Sequence, residues 1–405
     1  MDLLPILATL KRHKTAAGLI VLQVALTCAI VCNALFLIMQ RLERIDELSG
    51  MADQELVAIS TTGIGPSQNP EAQTREDLQA LRGVPGVQHV SVINQVPYGG
   101  QLSMSSLRLV QDENAPGVSA AAYNGSEQWL QTLGLKLVAG RDFEAGEYLD
   151  DGAFSADPDS KLAALVINRA LAERLFPGLD PIGQQVYGLG SGPTRIVGVV
   201  ERLISPHPGG NEEMNRYSMV MPVRQSFRGG AYLLRCAAAD RDRVLKAGIA
   251  ALDRTGPGRI LREQKTLSEL RAAYYASDRN MVLLLAAVCL ALMVVTAFGI
   301  VGLASFWVQQ RTRMIGTRRA LGATRGQILR YFQAENFLLS SVGIVLGMSA
   351  AYGISLLLMH SYEMPRLPWS YLPVGALVLW ALGQLAVLAP ARRAAALPPV
   401  AALRA

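Results

Sequence analysis

Hydrophobic and polar positions follow two different rhythms along this chain. Four long runs, Thr15 to Gln40, Asn280 to Gln310, Asn336 to Tyr362 and Leu367 to Ala391, contain no Asp, Glu, Lys or Arg. Each exceeds the roughly 20 residues that a helix needs to cross ~30 Å of hydrocarbon. The pattern predicts transmembrane helices at 15–40, 280–308, 331–360 and 371–391. The alternative, four uncharged helices buried in a soluble protein, would demand an unusually large core. The first run follows the basic cluster Lys11, Arg12, His13 and Lys14, as a signal peptide would. It is longer than a usual signal core and shows no small-residue cleavage site near its end, so it reads as an uncleaved anchor.

Between the first two runs the rhythm shortens. About 240 residues, 41–279, alternate short apolar strands with amphipathic helices, enough chain for one or two compact domains. Leu56 to Ser60 and Val87 to Asn94 read as strands; between them lie a helix, Glu76 to Leu81, and the turn Gly83-Val84-Pro85-Gly86. Ala164 to Ile167 reads as a strand, Asn168 as the N-cap of a helix Arg169 to Phe176, and Pro177-Gly178 as its terminator. Arg195 to Val200 is a further strand. Thr61 to Pro70 and Ser205 to Asn215, rich in Gly and Pro, read as exposed loops. Arg41 to Gly50 is expected to continue the first span outward, and Ser268 to Arg279 to lead into the second, as two helical stalks. The expected fold is a membrane protein: an α-helical transmembrane domain of four helices plus a mixed α+β domain carried on helical stalks.

Composition sharpens this picture through where the charges fall. The chain is 51% hydrophobic and 17% charged, and its basic residues flank the spans. Lys11, Arg12 and Lys14 precede the first span. Arg311, Arg313, Arg318, Arg319, Arg325 and Arg330 lie between the second and third, and Arg392, Arg393 and Arg404 follow the fourth. Lys and Arg stay on the cytoplasmic side during insertion, which predicts cytoplasmic placement for the 1–14 amphipathic segment, the 309–330 loop and the 392–405 tail. Residues 41–279 and the short 361–370 loop then lie outside; in 41–279 there are 25 Lys plus Arg and 29 Asp plus Glu, a net 25 − 29 = −4. The basic balance is a topology signal, and no nucleic-acid partner is expected. Cys28, Cys32 and Cys289 fall within spans and only Cys236 within the exported region, so no disulfide framework is expected.

Catalytic chemistry finds little support. An ATPase would need a glycine-rich loop ending in Gly-Lys-Ser/Thr, but none of the six lysines follows a glycine. His13, His89, His207 and His360 have no metal-ligand spacing, no His-Glu-x-x-His occurs, and Gly-x-Ser-x-Gly is missing. The expectation is a non-enzymatic subunit that binds no cofactor or metal itself.

The densest signal is Gln309 to Arg330: a short basic amphipathic helix, a Gly322-Ala323-Thr324 turn, and the start of the third span. Its arginines could rest on acidic lipid headgroups, and Ala320 and Leu321 could equally fill a cleft on a cytoplasmic protein. From Arg311 through Ala323 the segment resembles the MacB/FtsX-type permease family of ABC transporters, whose loop is similar to Arg-x-x-x-Ile-Gly-x-Arg-Arg-Ala-Leu-Gly-Ala. Met314 departs from that pattern, which commonly has an acid there. Phe332-Gln333-Ala334-Glu335-Asn336, Pro390 to Ala395 and Pro399 to Arg404 resemble further stretches of the family. In the exported region Gly140, Arg141, Asp142, Phe143, Asn168, Phe176, Pro181, Ile182 and Gly183 fall in motifs similar to its periplasmic core, and are read as structural.

The resemblance implies that Ile315, Gly316, Arg318, Arg319, Ala320, Leu321, Gly322 and Ala323 form the coupling element that docks on an ATPase. It implies an assembly of two permeases, identical or paralogous, with two ATPase subunits that hold the ATP and Mg, in the inner membrane of a double-membrane bacterium. A periplasmic adaptor and an outer-membrane channel are further implied partners. Implied activities are efflux of a peptide, antibiotic or lipid-like substrate, lipoprotein release, or regulation of a periplasmic hydrolase; the large exported domain favours efflux. Gly343 and Gly347 have the spacing that lets two helices approach closely in lipid, either within the chain or across a dimer.

Overall fold

In the computed structural model, residues 14–65, 69–157, 159–208, 215–256, 259–362 and 368–396 are described. In chain order the helices are α1 (Lys14–Ile45), α2 (Pro70–Arg82), α3 (Trp129–Leu133), α4 (Asp151–Ala156), α5 (Arg169–Leu175), α6 (Arg241–Thr255), α7 (Leu267–Tyr274), α8 (Ala276–Gln310), α9 (Thr312–Ala320), α10 (Arg325–Tyr362) and α11 (Tyr371–Ala396). The strands are β1 (Leu56–Gly63), β2 (Val87–Ile93), β3 (Met104–Leu107), β4 (Val118–Asn124), β5 (Leu137–Gly140), β6 (Leu149–Asp150), β7 (Ala164–Asn168), β8 (Gln185–Val186), β9 (Thr194–Val200), β10 (Ser218–Met221), β11 (Val223–Arg224), β12 (Ala231–Cys236) and β13 (Arg259–Thr266). The chain divides into two units, one of residues 1–45 with 277–405 and one of residues 46–276.

In the first unit α1, α8, α10 and α11 are each long and apolar enough to cross a membrane. α1 sits at the centre of the packing: Ile20, Val24, Cys28 and Cys32 are buried against Leu339, Ile344 and Ala351 of α10 and Ala376 and Leu379 of α11. Small residues permit this. A Cβ on Gly347 would lie 2.5 Å from the Ala25 carbonyl oxygen, and one on Gly343 2.9 Å from that of Val21. The Gly343/Gly347 face is therefore a contact within the chain, between α10 and α1. Polar side chains add cross-helix bonds, with Thr27 and Thr296 hydroxyls 2.8 Å apart and Gln23 donating to the Val295 carbonyl at 3.1 Å. Arg41 of α1 pairs with Asp278 of α8. All four cysteines, Cys28, Cys32, Cys236 and Cys289, are free and buried.

The second unit holds two sheets. One is antiparallel, in the order β13-β1-β12-β2, and α2 and α6 cover one face of it. Val57 and Ile59 from β1, Val90 and Val92 from β2, and Tyr232 and Leu234 from β12 point to those helices; this is the alternation expected of a half-covered sheet. Within that core Asp77, fully buried, accepts from both Arg259 amino groups, from Thr255 at 2.6 Å and from the Tyr232 hydroxyl at 2.5 Å. A buried carboxylate is tolerable only with such complete pairing. The other sheet is mixed, in the order β3-β4-β10-β7-β9-β5 with β8 beside β9. Its strands β7 and β9 are near-continuous apolar runs, and α5 packs on them through Leu171, Ala172 and Leu175. β6 and β11 form a separate parallel pair.

Several expectations change. Glu76 to Leu81 is part of a longer helix, α2, which begins at Pro70 with Asn69 as its cap, its side chain accepting from the Ala72 amide. Thr61 to Gly63 belong to strand β1 rather than to a loop. Of the Ser205 to Asn215 stretch, Ser205, Pro206 and Pro208 are buried rather than exposed, because the Tyr123 hydroxyl and the Tyr98 amide donate to the Ile204 and Pro206 carbonyls and draw the segment inward, and residues 209–214 lie outside the described residues. Neither stalk is one continuous helix. α1 ends at Ile45, so Asp46 to Gly50 are not helical; the expected second stalk is broken at Tyr275 between α7 and α8. Residues 1–13, 363–367 and 397–405, with the Pro399 to Arg404 motif, lie outside the described residues.

Candidate functional site

The basic segment folds as a helical hairpin between α8 and α10. Leu321 donates to Thr317, Gly322 to Arg319 and Ala323 to Arg318, the bond pattern of a helix closed by a left-handed residue. Gly322 supplies that residue with φ +97°, a conformation that costs other residues about 1 kcal/mol. Thr324 then opens α10: its hydroxyl accepts from the Gln327 amide at 3.3 Å, while the Gln327 side chain accepts from the Thr324 amide at 2.9 Å. This reciprocal cap was legible as Thr-x-x-Gln before an apolar run.

The inner face of the hairpin is apolar. Ile315 packs with Val308, Ile328, Phe332 and the Ala391, Ala394 and Ala395 stripe of α11. Beside this cluster Arg311 donates twice to Glu335, at 2.8 and 3.0 Å, with its guanidinium 5.5 Å from the Trp307 ring centre. Both partners are buried. As an acid near the start of the third span, Glu335 reads as a favourable N-terminal charge; the structure replaces that reading, because α10 begins at Arg325 and Glu335 lies in its third turn. Uncharged-run counting starts the span too late to show this.

The eight residues of the predicted coupling element divide by direction. Ile315 and Gly316 are buried, and Arg319 is half-buried, with an amino group donating to the Ala395 carbonyl at 2.7 Å near the C-terminus of α11. Cations are favourable there. Arg318 lies over the Tyr331 ring at 5.0 Å, and Ala323 is half-buried. Ala320, Leu321 and Gly322 face outward, Leu321 with 83% of its surface exposed. Around it Arg313, Arg318, Arg325 and Arg330 are also exposed, and Glu335 is the only acid between residues 309 and 335. The outer surface is one apolar knob in a basic field.

The motifs of residues 140–183 serve the second unit's own fold. Gly140 has φ +73°, and a Cβ there would lie 2.1 Å from the Val197 carbonyl oxygen. Arg141 forms a two-pronged pair with Glu147 at 2.7 and 2.9 Å. Those bonds hold the Glu147 carboxyl below its ordinary range. Asp142 accepts from the Trp129 indole at 3.0 Å and from the Phe143 amide, and Phe143 stacks edge-on with Tyr148. Asn168 caps α5, accepting from Leu171 and donating to Arg216. Phe176 lies in the mixed-sheet core with Ile182 against it, Pro181 accepts from Gln184, and Gly183 turns with φ +81°.

A second constellation, which the sequence did not single out, ties the two ends of the 46–276 unit. Arg271 of α7 donates to Asp53 at 2.8 Å and to the Glu47 carbonyl at 2.7 Å. The same guanidinium lies over Tyr98, whose ring contacts Tyr274 and Tyr275, and the Tyr274 hydroxyl donates to Pro208. Burial pushes the Tyr98 hydroxyl well above its ordinary range. These residues are far apart in sequence, and only the strand order brings them together.

Four apolar helices, a basic hairpin between the second and third, and a large α+β domain inserted after the first define a membrane permease of the ABC-transporter class. Residues 20–248 match the MacB-like periplasmic core domain and residues 286–399 the FtsX-like permease C-terminal domain, so the chain belongs to the MacB/FtsX family of ABC transporter permeases. It is 26% identical over 349 residues to an uncharacterized ABC transporter permease, YknZ, of Bacillus subtilis, covering 84% of this chain and 82% of that one. It is 28% identical over 370 residues to the macrolide export ATP-binding/permease protein MacB 1 of Aeromonas hydrophila, covering 88% of this chain. The chain spans 53% of the length of that relative, and 36% of the MacB of Neisseria gonorrhoeae. Among solved structures it is similar to the extracellular domain of the noncanonic ABC-type transporter YknZ from Gram-positive bacteria. That likeness has 17% identity and a TM-score of 0.31, over 51% of this chain and all of that one.

Proposed function

We propose that this chain is the permease subunit through which a separate cytoplasmic ATPase drives movement of a periplasmic domain. Two copies, or one copy and a paralogue, would assemble with two ATPase subunits in the inner membrane, both termini and the hairpin facing the cytoplasm. The ATP and Mg would be held by those subunits. The observation that carries the reading is Leu321: a large apolar side chain held exposed at the tip of a hairpin that is capped at both turns and packed on α11. Such a side chain gains about 1.5–3 kcal/mol on burial, and a cleft on the ATPase would supply it.

The work done by that movement is proposed as efflux of a peptide, antibiotic or lipid-like substrate, in line with the macrolide export named for the MacB relatives. The test is co-purification of the full chain with candidate ATPase subunits, followed by ATPase assay in membranes. Leu321→Asp is expected to weaken the complex at least tenfold and to abolish stimulated ATPase activity while the chain stays folded. Native protein that captures no ATPase subunit would sink the reading.

A further inference from the structure

Behind the Leu321 knob, α9 and α10 leave a pocket of about 70 Å³ between them. Its walls are Met314 and Ile315 from one helix and Ile328, Tyr331 and Phe332 from the other, with Ala323 at the turn. Met314 and Tyr331 are half-buried and Ile315, Ile328 and Phe332 buried, so the floor is apolar, while exposed Arg318 and Gln327 complete the lining with polar groups. The Arg318 guanidinium rests on the Tyr331 ring at one rim, and Arg313, Arg325 and Arg330 stand exposed nearby with no exposed acid among residues 309–335. A space of this size holds several water molecules, and the buried Ile315, Ile328 and Phe332 offer them no side-chain partner, so filling that floor with an apolar group is favourable. Met314 stands in the wall of this pocket, and an unbranched thioether adapts readily to whatever enters beside it.

We propose that the hairpin is a socket as well as a knob: the pocket receives one apolar side chain projecting from an acidic surface of the partner ATPase, and Met314 is the residue that selects for it. This rests on the docking reading above, and refines it. Leu321 gives one anchor and the pocket takes another, two turns of chain apart, so the partner is held in orientation as well as in place. The basic rim matches acids flanking the inserted side chain, which steers encounter, while the socket itself is insensitive to salt.

The experiment measures capture of the candidate ATPase subunits by the full chain in lipid nanodiscs, at low and high salt. Met314→Glu, which puts a carboxylate in the wall, is expected to weaken binding at least tenfold at both salt concentrations, and Met314→Leu to bind as the native chain does. Thermal melting of each variant confirms folding. Native-level binding by Met314→Glu, with binding lost in Leu321→Asp, would overturn the socket and leave the docking reading standing. So would a Met314→Glu defect that disappears at high salt, or one seen only as loss of a co-purified phospholipid. Failure of the native chain to capture any ATPase subunit would overturn both.

Discussion

Arg311 and Glu335 face each other through two hydrogen bonds of 2.8 and 3.0 Å, with side chains only 7% and 1% exposed. The pair joins Arg311, the residue between α8 and α9, to α10 just inside the basic hairpin, and so fixes how the hairpin is set on the helices behind it. Removing one partner leaves a buried charge, which costs about 3–5 kcal/mol, whereas replacing both by apolar residues is often neutral. Glu335→Ala is thus expected to lower the thermal midpoint of the purified chain sharply, and Arg311→Met with Glu335→Leu to restore much of it. A single variant as stable as the double one would show that the pair has no such role.

Close helix approach gives a second expectation. Gly347 has no room for a Cβ against α1, whereas a Cβ on Gly353, further along the same helix, would meet nothing within 4 Å. Gly347→Leu is expected to abolish folded protein in the membrane, and Gly353→Leu to be tolerated, as read by detergent-extracted monodisperse yield. Equal yields would mean that α1 and α10 do not pack as described.

The Asp77 network makes the antiparallel sheet sensitive to one atom set. Asp77→Ala strands the buried Arg259 and is expected to cost about 3–5 kcal/mol, visible as early unfolding by hydrogen exchange in β13 and α6. Asp240→Ala, whose partner Arg243 is exposed, is expected to change stability by less than about 1 kcal/mol.

The Arg141–Glu147 pair sets a pH dependence. Because the Glu147 carboxyl is held below its ordinary value of 4.5, chiefly by the Arg141 bonds, its contribution is present above that pH and is lost as pH falls through the lowered value. Arg141 is partly exposed, so solvent screening limits the effect to about 1 kcal/mol or less. Arg141→Met is expected to lower stability at neutral pH, with the difference from native shrinking at acid pH. A difference that grows on acidification would contradict the pairing.

Much of this architecture was legible because its causes are local. Uninterrupted apolar runs mark the spans, Asn168 marks the start of α5, and the Gly322 turn marks the end of α9. What stayed hidden depends on pairing between distant residues. The order β13-β1-β12-β2 brings Asp77 to Arg259 across 182 positions, and the Arg271, Tyr98 and Tyr274 cluster needs the same sheet in place, since β2 leads to Tyr98 and β13 to Arg271. Glu335 was misread because counting uncharged residues excludes the charged turns with which α10 begins. Buried Ser205, Pro206 and Pro208 were misread because Pro and Gly report local turning, not what later packs over it. Arg319 stands in the same motif as Leu321, and only the three-dimensional structure shows that one side chain holds the hairpin to α11 while the other points outward.

The four native cysteines, all buried, have a practical consequence. A membrane-impermeant maleimide added to intact spheroplasts or to inverted vesicles meets little competing thiol at the native protein's surface. A single cysteine introduced at Leu321 or at exposed Leu179 then becomes a nearly background-free label. Read from each side of the bilayer in turn, those two positions map sidedness without first stripping the chain of its own thiols, two of which line the tight seam between α1 and its neighbours.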